Sequence, residues 1–373
     1  MDTLASQIEG GAQTARVASP EESLLADAVR TAAAEGRVLH IVGGGSKVGL
    51  GGVPRGSPLS TSALSGIVDY DPAELVVTVR AGTPLAVLQG ELARHGQMLP
   101  FEPPDWPGAT VGGVIASGIS GPRRPFAGSV RDALLGVRLL DGRGQVLQFG
   151  GRVMKNVAGF DLFRLQAGAW GRLGVVLEAS FRVLPRPESE VTVTQRLSAA
   201  EALERMNCLA GQPLPLSAAA HVGGVLHLRV SGSNAGVTAA LSSLGGDRLP
   251  VDVAAAFWAS SAGLPPAAAI ESDASVAAPL WRLAVPSTTR SLAAEGEVAI
   301  DWVGGLRWLR SDAPAEVVRA LAAGLGGHAA AWRGNLACPV MHPLDPVTAQ
   351  LHRRLFAVFD PHSVFDHGRF DAA

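Results

Sequence analysis

Cysteine is nearly missing, with Cys208 and Cys338 the two in 373 residues. A disulfide framework and an iron–sulfur cluster held by four thiolates are therefore excluded within this chain. No excess of one charge exists either, since 31 Lys and Arg stand against 33 Asp and Glu. Nothing thus points to a nucleic-acid partner or a polybasic membrane face. The arginines crowded at Arg123, Arg124, Arg131, Arg138 and Arg143 read as solvated loop and strand-edge charges. Long apolar runs are lacking: Val253–Ala259 and Leu264–Ile270 fall short of the ~20 residues that cross a bilayer as a helix. The first nine residues carry acid where a secretory signal carries base and have no continuous apolar core. A cytoplasmic protein is expected, peripheral to the inner face of a membrane only through partners.

Glycine, by contrast, is abundant. From His40 to Gly52 a short apolar strand runs into a loop with six glycines and Lys47. Glycine permits φ > 0 and close approach, so successive N–H groups can converge on an anion such as phosphate. The spacing is neither G-x-x-x-x-G-K-[ST] nor G-x-G-x-x-G; a third Rossmann glycine would fall at Val48. A Rossmann NAD enzyme is disfavoured accordingly. Further Gly-rich segments lie at 108–121 and 168–174, each beside an apolar strand. Three independent surface turns would give the same composition. One long, partly buried ligand touched by all three, a dinucleotide with an isoalloxazine ring, explains their order better.

Residues 1–18 show no periodicity and read as a flexible tail. Ser19, Pro20 and Glu22 then form a capping box with proline at N1, opening a helix with Leu24, Leu25, Ala28, Val29 and Ala32 at helical spacing until Gly36. Strands are expected at 37–42 and 75–80, and a helix after Thr83 as N-cap with Pro84 at N1, its face made by Leu85, Leu88 and Leu92. Residues 100–121 are too rich in Gly and Pro for regular structure and too apolar for a solvated linker. Buried irregular backbone is expected there, and a bound cofactor would satisfy its polar groups. A hairpin turns at Asp141-Gly142. Pro185-Arg186-Pro187 marks a domain break. Beyond it, strand-like runs at 222–230, 281–285 and 307–309 alternate with helical runs at 198–209 and 313–324, the pattern of an antiparallel sheet with helices packed on it. A last helix spans 345–359.

Other constellations carry less. The loop Lys155-Asn156-Val157-Ala158-Gly159-Phe160-Asp161-Leu162 offers a cation, an amide and a carboxylate, to a ligand or to a helix start. Cys338 and His342, with His352, His362 and His367, lack the matching acidic ligands of a metal site. Ser46 and Ser117 sit beside glycines, but no G-x-S-x-G elbow exists. The catalytic residues stay unknown; His95, His342 and His367 qualify as a base only by residue type.

Four segments taken together, Ile-Val-Gly-Gly-Gly-Ser-Lys, Pro-Gly-Ala-Thr-Val-Gly-Gly-Val-Ile-Ala-Ser-Gly, Lys-Asn-Val-Ala-Gly-Phe-Asp-Leu and Trp-Gly-Arg-Leu-Gly-Val-Val-Leu-Glu-Ala, resemble the FAD-binding domain of the vanillyl-alcohol oxidase and para-cresol methylhydroxylase (PCMH) type. More narrowly they are similar to the FAD-binding E subunits of bacterial glycolate oxidase, also called glycolate dehydrogenase. The resemblance implies an α+β fold. A two-subdomain PCMH-type domain over 19–187 would be followed by a smaller α+β domain with an antiparallel sheet over 188–337, and a segment, 338–373, would return to the FAD domain. Carried over by position, Val42, Gly43, Gly44, Gly45, Ser46 and Lys47 would form the pyrophosphate loop. Asp105, Gly108, Ala109, Thr110, Gly112, Gly113, Ser117 and Gly118 would line pyrophosphate and flavin, and Gly171, Gly174 and Val175 would sit near the adenosine or ribityl chain. The tail Asp360-Pro-His-Ser-Val-Phe-Asp-His-Gly-Arg resembles a closing Asp-Pro-x-x-Val-Phe-Asn-Pro-Gly-Arg pattern, with Asp366 in place of Asn and His367 in place of Pro.

Relatives with covalent FAD often place His in the first loop; Ser46 and Lys47 stand here, so noncovalent FAD is expected. Residues 188–335 hold only His221, His227 and His328, without the histidine- and acid-rich site of hydroxy-acid-oxidising relatives, and no metal is expected. The implied function is the FAD subunit of a glycolate dehydrogenase complex, oxidising glycolate or relaying its electrons, with a homologous FAD subunit and an iron–sulfur subunit as partners. The alternatives are a self-sufficient FAD oxidase or dehydrogenase of lactate or another small 2-hydroxy acid, and a structural subunit that has lost its flavin.

Overall fold

A computed structural model describes residues 18–50, 52–152, 160–265, 278–334 and 338–368. The first helix, Pro20–Glu35, begins as its capping box requires: Ser19 accepts from the Glu22 N–H, and the Glu22 carboxylate accepts from the Ser19 N–H at 3.0 Å. Gly36 closes it in the left-handed region at φ 63°. Leu25, Val29 and Ala32 face the core, whereas Leu24 points to solvent. Glu22 also pairs with Arg138 at 3.0 and 3.1 Å, both side chains almost fully buried, which ties the helix to the sheet beneath it.

That sheet has five antiparallel strands in the order β3 (Ile67–Asp71), β4 (Val76–Arg80), β8 (Val175–Arg182), β6 (Leu134–Leu140) and β7 (Val146–Gly150). The hairpin β6–β7 turns at Asp141, as expected. Beside it, β1 (Leu39–Val42) and β2 (Ser57–Ser60) form a two-stranded parallel sheet, and β5 (Gln97–Met98) pairs antiparallel with β9 (Leu184–Pro185). The helix Leu85–Arg94 packs Leu85, Leu88 and Leu92 into the main core, but Thr83 is not its cap. The Thr83 hydroxyl is committed to the open end of the β3–β4 pair, donating to the Arg80 carbonyl at 2.7 Å and accepting from the Gly66 N–H at 2.9 Å. Within 100–121, expected to be irregular throughout, Thr110 caps a seven-residue helix, Val111–Ser117, which Gly118 ends at φ 62°. Two glycines in that helix lower its propensity, so the sequence hides an element that tertiary packing supports.

A second sheet of eight antiparallel strands follows, in the order β13 (Asp247–Arg248), β10 (Ser189–Arg196), β12 (Val225–Gly232), β11 (Leu216–Val222), β15 (Glu297–Asp301), β16 (Leu306–Arg310), β14 (Leu280–Ala284) and β17 (His328–Arg333). The run read as one strand at 222–230 is a hairpin, because Gly223 and Gly224 adopt φ 59° and 76° and turn the chain. Helices Ala199–Ala210, Asn234–Leu244 and Ala315–Gly324 cover one face. The other face carries Leu280, Trp302, Trp308 and Trp332 against Leu50 and Ile119 of the first half.

Charge locks the halves together. The Glu102 carboxylate accepts from Arg123 Nε at 3.0 Å and from Arg229 at 2.8 Å, and Arg123 reaches on to Glu190 at 2.7 Å and Ser231 at 2.9 Å. Arg123 and Arg138, read from the sequence as solvated, are thus interior. The C-terminal helix, Pro346–Phe359, leads to Asp360, whose carboxylate accepts from the N–H groups of Val364 and Phe365. Phe365 then pairs in parallel with Leu39 of β1.

Burial raises the Glu102 pKa, but Arg229 and Arg123, by charge and hydrogen bond, more than offset this and hold it below the ordinary 4.5. Its contribution is therefore complete above pH 4.5 and is lost as pH falls through the depressed value. Glu102→Ala, which strands two arginines, is expected to cost about 3 kcal/mol. Urea titration at pH 7 and pH 3 checks this: the gap between wild type and variant should narrow at the lower pH.

Candidate functional site: a glycine cradle

At the end of β1 the chain enters Gly43-Gly44-Gly45. A Cβ on Gly44 would lie 1.9 Å from the Gly108 carbonyl oxygen, and one on Gly43 would lie 2.3 Å from Thr110 Oγ1. Gly108 in turn holds φ 78° with the Gly44 carbonyl 2.5 Å from where its own Cβ would be. Two backbones thus touch where no side chain fits. The N–H groups of Gly44, Gly45 and Ser46 find no acceptor among the described residues, which makes three consecutive donors available to an anion. Lys47 is 9% exposed, bonds to Ser46 Oγ at 3.1 Å and lies 5.5 Å from the Trp106 ring. Burial pulls its ammonium pKa down to about 8.

These groups line a cavity of about 120 Å³ together with Val42, Thr110, Gly113 and Trp170. Small-molecule sites usually exceed about 300 Å³, so this one suits a diphosphate rather than a whole dinucleotide. Val42, Gly43, Gly44, Gly45, Ser46, Lys47, Thr110 and Gly113, named from the sequence, meet here. The others do not line it. Asp105 faces a separate cavity beside Glu102 and Arg229. Gly108 and Gly112 give close backbone approach, to Gly44 and Ala81. Ala109 and Val175 are core, Ser117 bonds to the Val114 carbonyl, and Gly118 caps its helix. Gly171 packs on Ile41 and Gly174 on Leu140, both with positive φ. Sequence reasoning missed His40, Ala116 and Trp170. His40 could have been found by strand alternation from Val42, whereas Trp170, whose N–H bonds to the Ala116 carbonyl at 2.8 Å, comes from a loop distant in sequence.

Behind the loop the tail acts as a clasp: Asp366 accepts from the Arg55 N–H, and His367 Nε2 lies 2.8 Å from Asp360. The two replacements in the tail are therefore structural partners. The segment 155–159 and Arg369 lie outside the described residues. His95 stacks edge-on with Tyr70 and His342 faces His328, both away from the cradle.

A glycine nest beside a desolvated lysine, on a two-stranded parallel unit packed against an antiparallel sheet, defines a nucleotide-holding flavoprotein module. The FAD binding domain family matches residues 13–150, and FAD is the cofactor this module takes. The chain belongs to the family of the glycolate oxidase subunit GlcE: it is 41% identical to the Escherichia coli K12 protein over 354 residues, covering 93% of this chain and 97% of that one. It is 32% identical to glycolate oxidase subunit GlcD of Bacillus subtilis over 127 residues, 34% of this chain and 27% of that one. It is also 32% identical to a D-lactate dehydrogenase of Archaeoglobus fulgidus, over 45% of this chain and 37% of that one. An alkyldihydroxyacetonephosphate synthase structure shares the fold at a TM-score of 0.62 and 14% identity, covering 91% of this chain and 74% of that one.

The residues fit FAD in kind. Three unpaired backbone donors and a lysine that keeps its charge below about pH 8 suit a pyrophosphate, and the tight Gly44–Gly108 contact fixes their direction. Gly44→Ala should force the two loops apart and weaken FAD binding at least about tenfold, as an unreachable N–H pair forfeits charge-assisted bonds; flavin retained after gel filtration measures it. Pyrophosphate favours the charged lysine, so FAD affinity should hold below pH 8 and fall about tenfold per unit above it. Fluorescence titration of FAD across pH 7–10 reads that slope, which Lys47→Met should flatten.

Proposed function

We propose that this chain is the noncovalent FAD subunit of a glycolate dehydrogenase complex. The match to GlcE along almost its whole length carries the reading, with the cradle as its physical basis. Residues 19–187 would be the cofactor domain, 188–337 the smaller domain over it, and 338–373 the clasp. Gly44, Gly45 and Ser46 bind through their N–H groups, Lys47 supplies charge, and Thr110 orients the loop by capping the helix behind it. Bound FAD supplies a two-electron acceptor for the oxidation of a 2-hydroxy acid to its oxo acid. With two cysteines, onward one-electron transfer needs iron–sulfur chemistry on a partner. A homologous FAD subunit of the GlcD kind is the second partner, and any membrane contact would run through these two.

No covalent anchor is offered by the loop itself; His40 beside it has Nδ1 3.2 Å from the Gly56 carbonyl. Acid denaturation should release all flavin into the supernatant, and flavin retained on the polypeptide would contradict the reading. The relation to D-lactate dehydrogenases covers less than half of this chain, which favours the complex over a self-sufficient lactate enzyme. An absorbance spectrum of the purified chain should show bound flavin, and glycolate should bleach it only with both partner subunits present. Bleaching of the lone chain would move catalysis onto it, and no flavin after reconstitution would leave a structural subunit.

A further inference from the structure

The eight-stranded sheet turns a charged residue toward the first half of the molecule. Arg282 lies on β14 between β16 and β17, opposite Trp308 and Ala330. By alternation it shares a face with Leu280, the face that packs on Leu50 and Ile119. Its guanidinium lies 4.9 Å from the Trp302 ring and 5.3 Å from the Trp332 ring. Arg124, from the first half, lies 4.2 Å from the same Trp302 ring. Among the described residues neither guanidinium makes a hydrogen bond or an ion pair.

Four of the buried arginines differ from this pair. Arg123, Arg138, Arg229 and Arg307 each hold a carboxylate within 3.1 Å. Two guanidiniums sharing one indole, neither in an ion pair among the described residues although Asp132 and Asp301 act on them from further off, have the chemistry of a receptor rather than of a packing unit.

The nearby acids do not fill the role. Asp301 is fully buried and spends Oδ1 on the Trp302 N–H at 2.6 Å, while its Oδ2 has no partner among the described residues. Burial raises its pKa to about 7, so near neutral pH it carries only part of a negative charge. Burial, with Arg124 next to it, lowers the Arg282 pKa to about 10, the direction expected where positive charge is in excess. Asp132 is engaged by the Ser129 N–H and hydroxyl at 2.8 and 2.7 Å.

Backbone strain gathers at the same place. Trp302, Val303 and Gly304 take φ 51°, 57° and 94° in succession, two of them residues that ordinarily avoid that region. The Trp302 ring N–H donates to the Gly121 carbonyl at 3.0 Å, which pins the indole between the halves. Arg124, Asp132, Trp302 and His328 line a cavity of about 510 Å³. Strain of this kind persists where the surroundings over-determine it, commonly at ligand sites.

We propose that Arg124 and Trp302, in the cavity they line, form a receptor for a small carboxylate of two to four carbons, distinct from the glycine cradle, with Arg282 outside that lining but against the same indole. The planar guanidinium of Arg124 takes the two carboxylate oxygens, Arg282 adds charge across the indole, and His328 lines the rim. The ligand class matches the hydroxy acid and oxo acid of the proposed reaction, but binding here does not require that reading, since it is measured as an equilibrium.

Equilibrium dialysis of radiolabelled glycolate against the purified, FAD-loaded full chain tests it, with flavin absorbance recorded in the same samples. Saturable binding is expected, about tenfold weaker in Arg124→Gln. Arg282→Gln should also weaken it, and the double variant should abolish it, with flavin content unchanged. Arg124 is exposed, so its variant tests the site even where Arg282→Gln fails to fold. Wild-type affinity in Arg124→Gln, no saturable glycolate binding, or inorganic phosphate displacing glycolate more strongly than glyoxylate does would each overturn the proposal. Loss of flavin with glycolate binding retained would fault the cradle and leave the receptor standing.

Discussion

The contact between the Gly44 and Gly108 backbones is the constraint on which the rest of the molecule is arranged. Two main chains meet there with no space for a methyl group on either. That closeness brings the end of β1 onto the start of the helix Val111–Ser117, so Thr110 serves both the helix and the loop. It leaves three N–H groups facing the same small volume and forces Lys47 inward, where the loss of water weakens its hold on a proton. A wider gap would let a larger residue in and solvate those donors.

Ions perform the corresponding task on a larger scale. Glu102, itself held at φ 44°, joins Arg123 of the first half to Arg229 of the second, and Trp302 adds one neutral hydrogen bond across the same boundary. Such pairs contribute direction more than stability, because most of their Coulomb energy is spent on desolvation. The direction matters here. It sets an aromatic face of the eight-stranded sheet over the first half and leaves Arg282 in a place where most side chains would be apolar.

Much of this could be read in the residues. The helix from Pro20 was spelled out by Ser19, Pro20 and Glu22, and the β6–β7 hairpin by Asp141-Gly142. The phosphate character of Gly43–Lys47 was legible because glycine clusters have few uses besides turns and close approach. What stayed hidden depended on distance in three dimensions. Thr83 looks like a helix cap until Gly66 competes for its hydroxyl, and Gly223-Gly224 looks like part of a strand until both adopt positive φ. Arg123 and Arg138 resemble surface charges, since no local pattern announces that Glu102 and Glu22 wait for them inside. Trp170 and His40 entered the cradle through neighbouring strands and loops, and Asp105 left it for the cavity beside Arg229.

The parallel bridge between Leu39 and Phe365 has a consequence in time rather than in space. Strand β1 leaves the ribosome early, yet the residue that completes its edge is among the last described. Local helices and the β6–β7 hairpin can form during synthesis, while this pairing spans nearly the whole chain and closes a very long loop. The edge of β1 beside the cradle is thus completed only once Phe365 has been made, after the local helices and the hairpin can form.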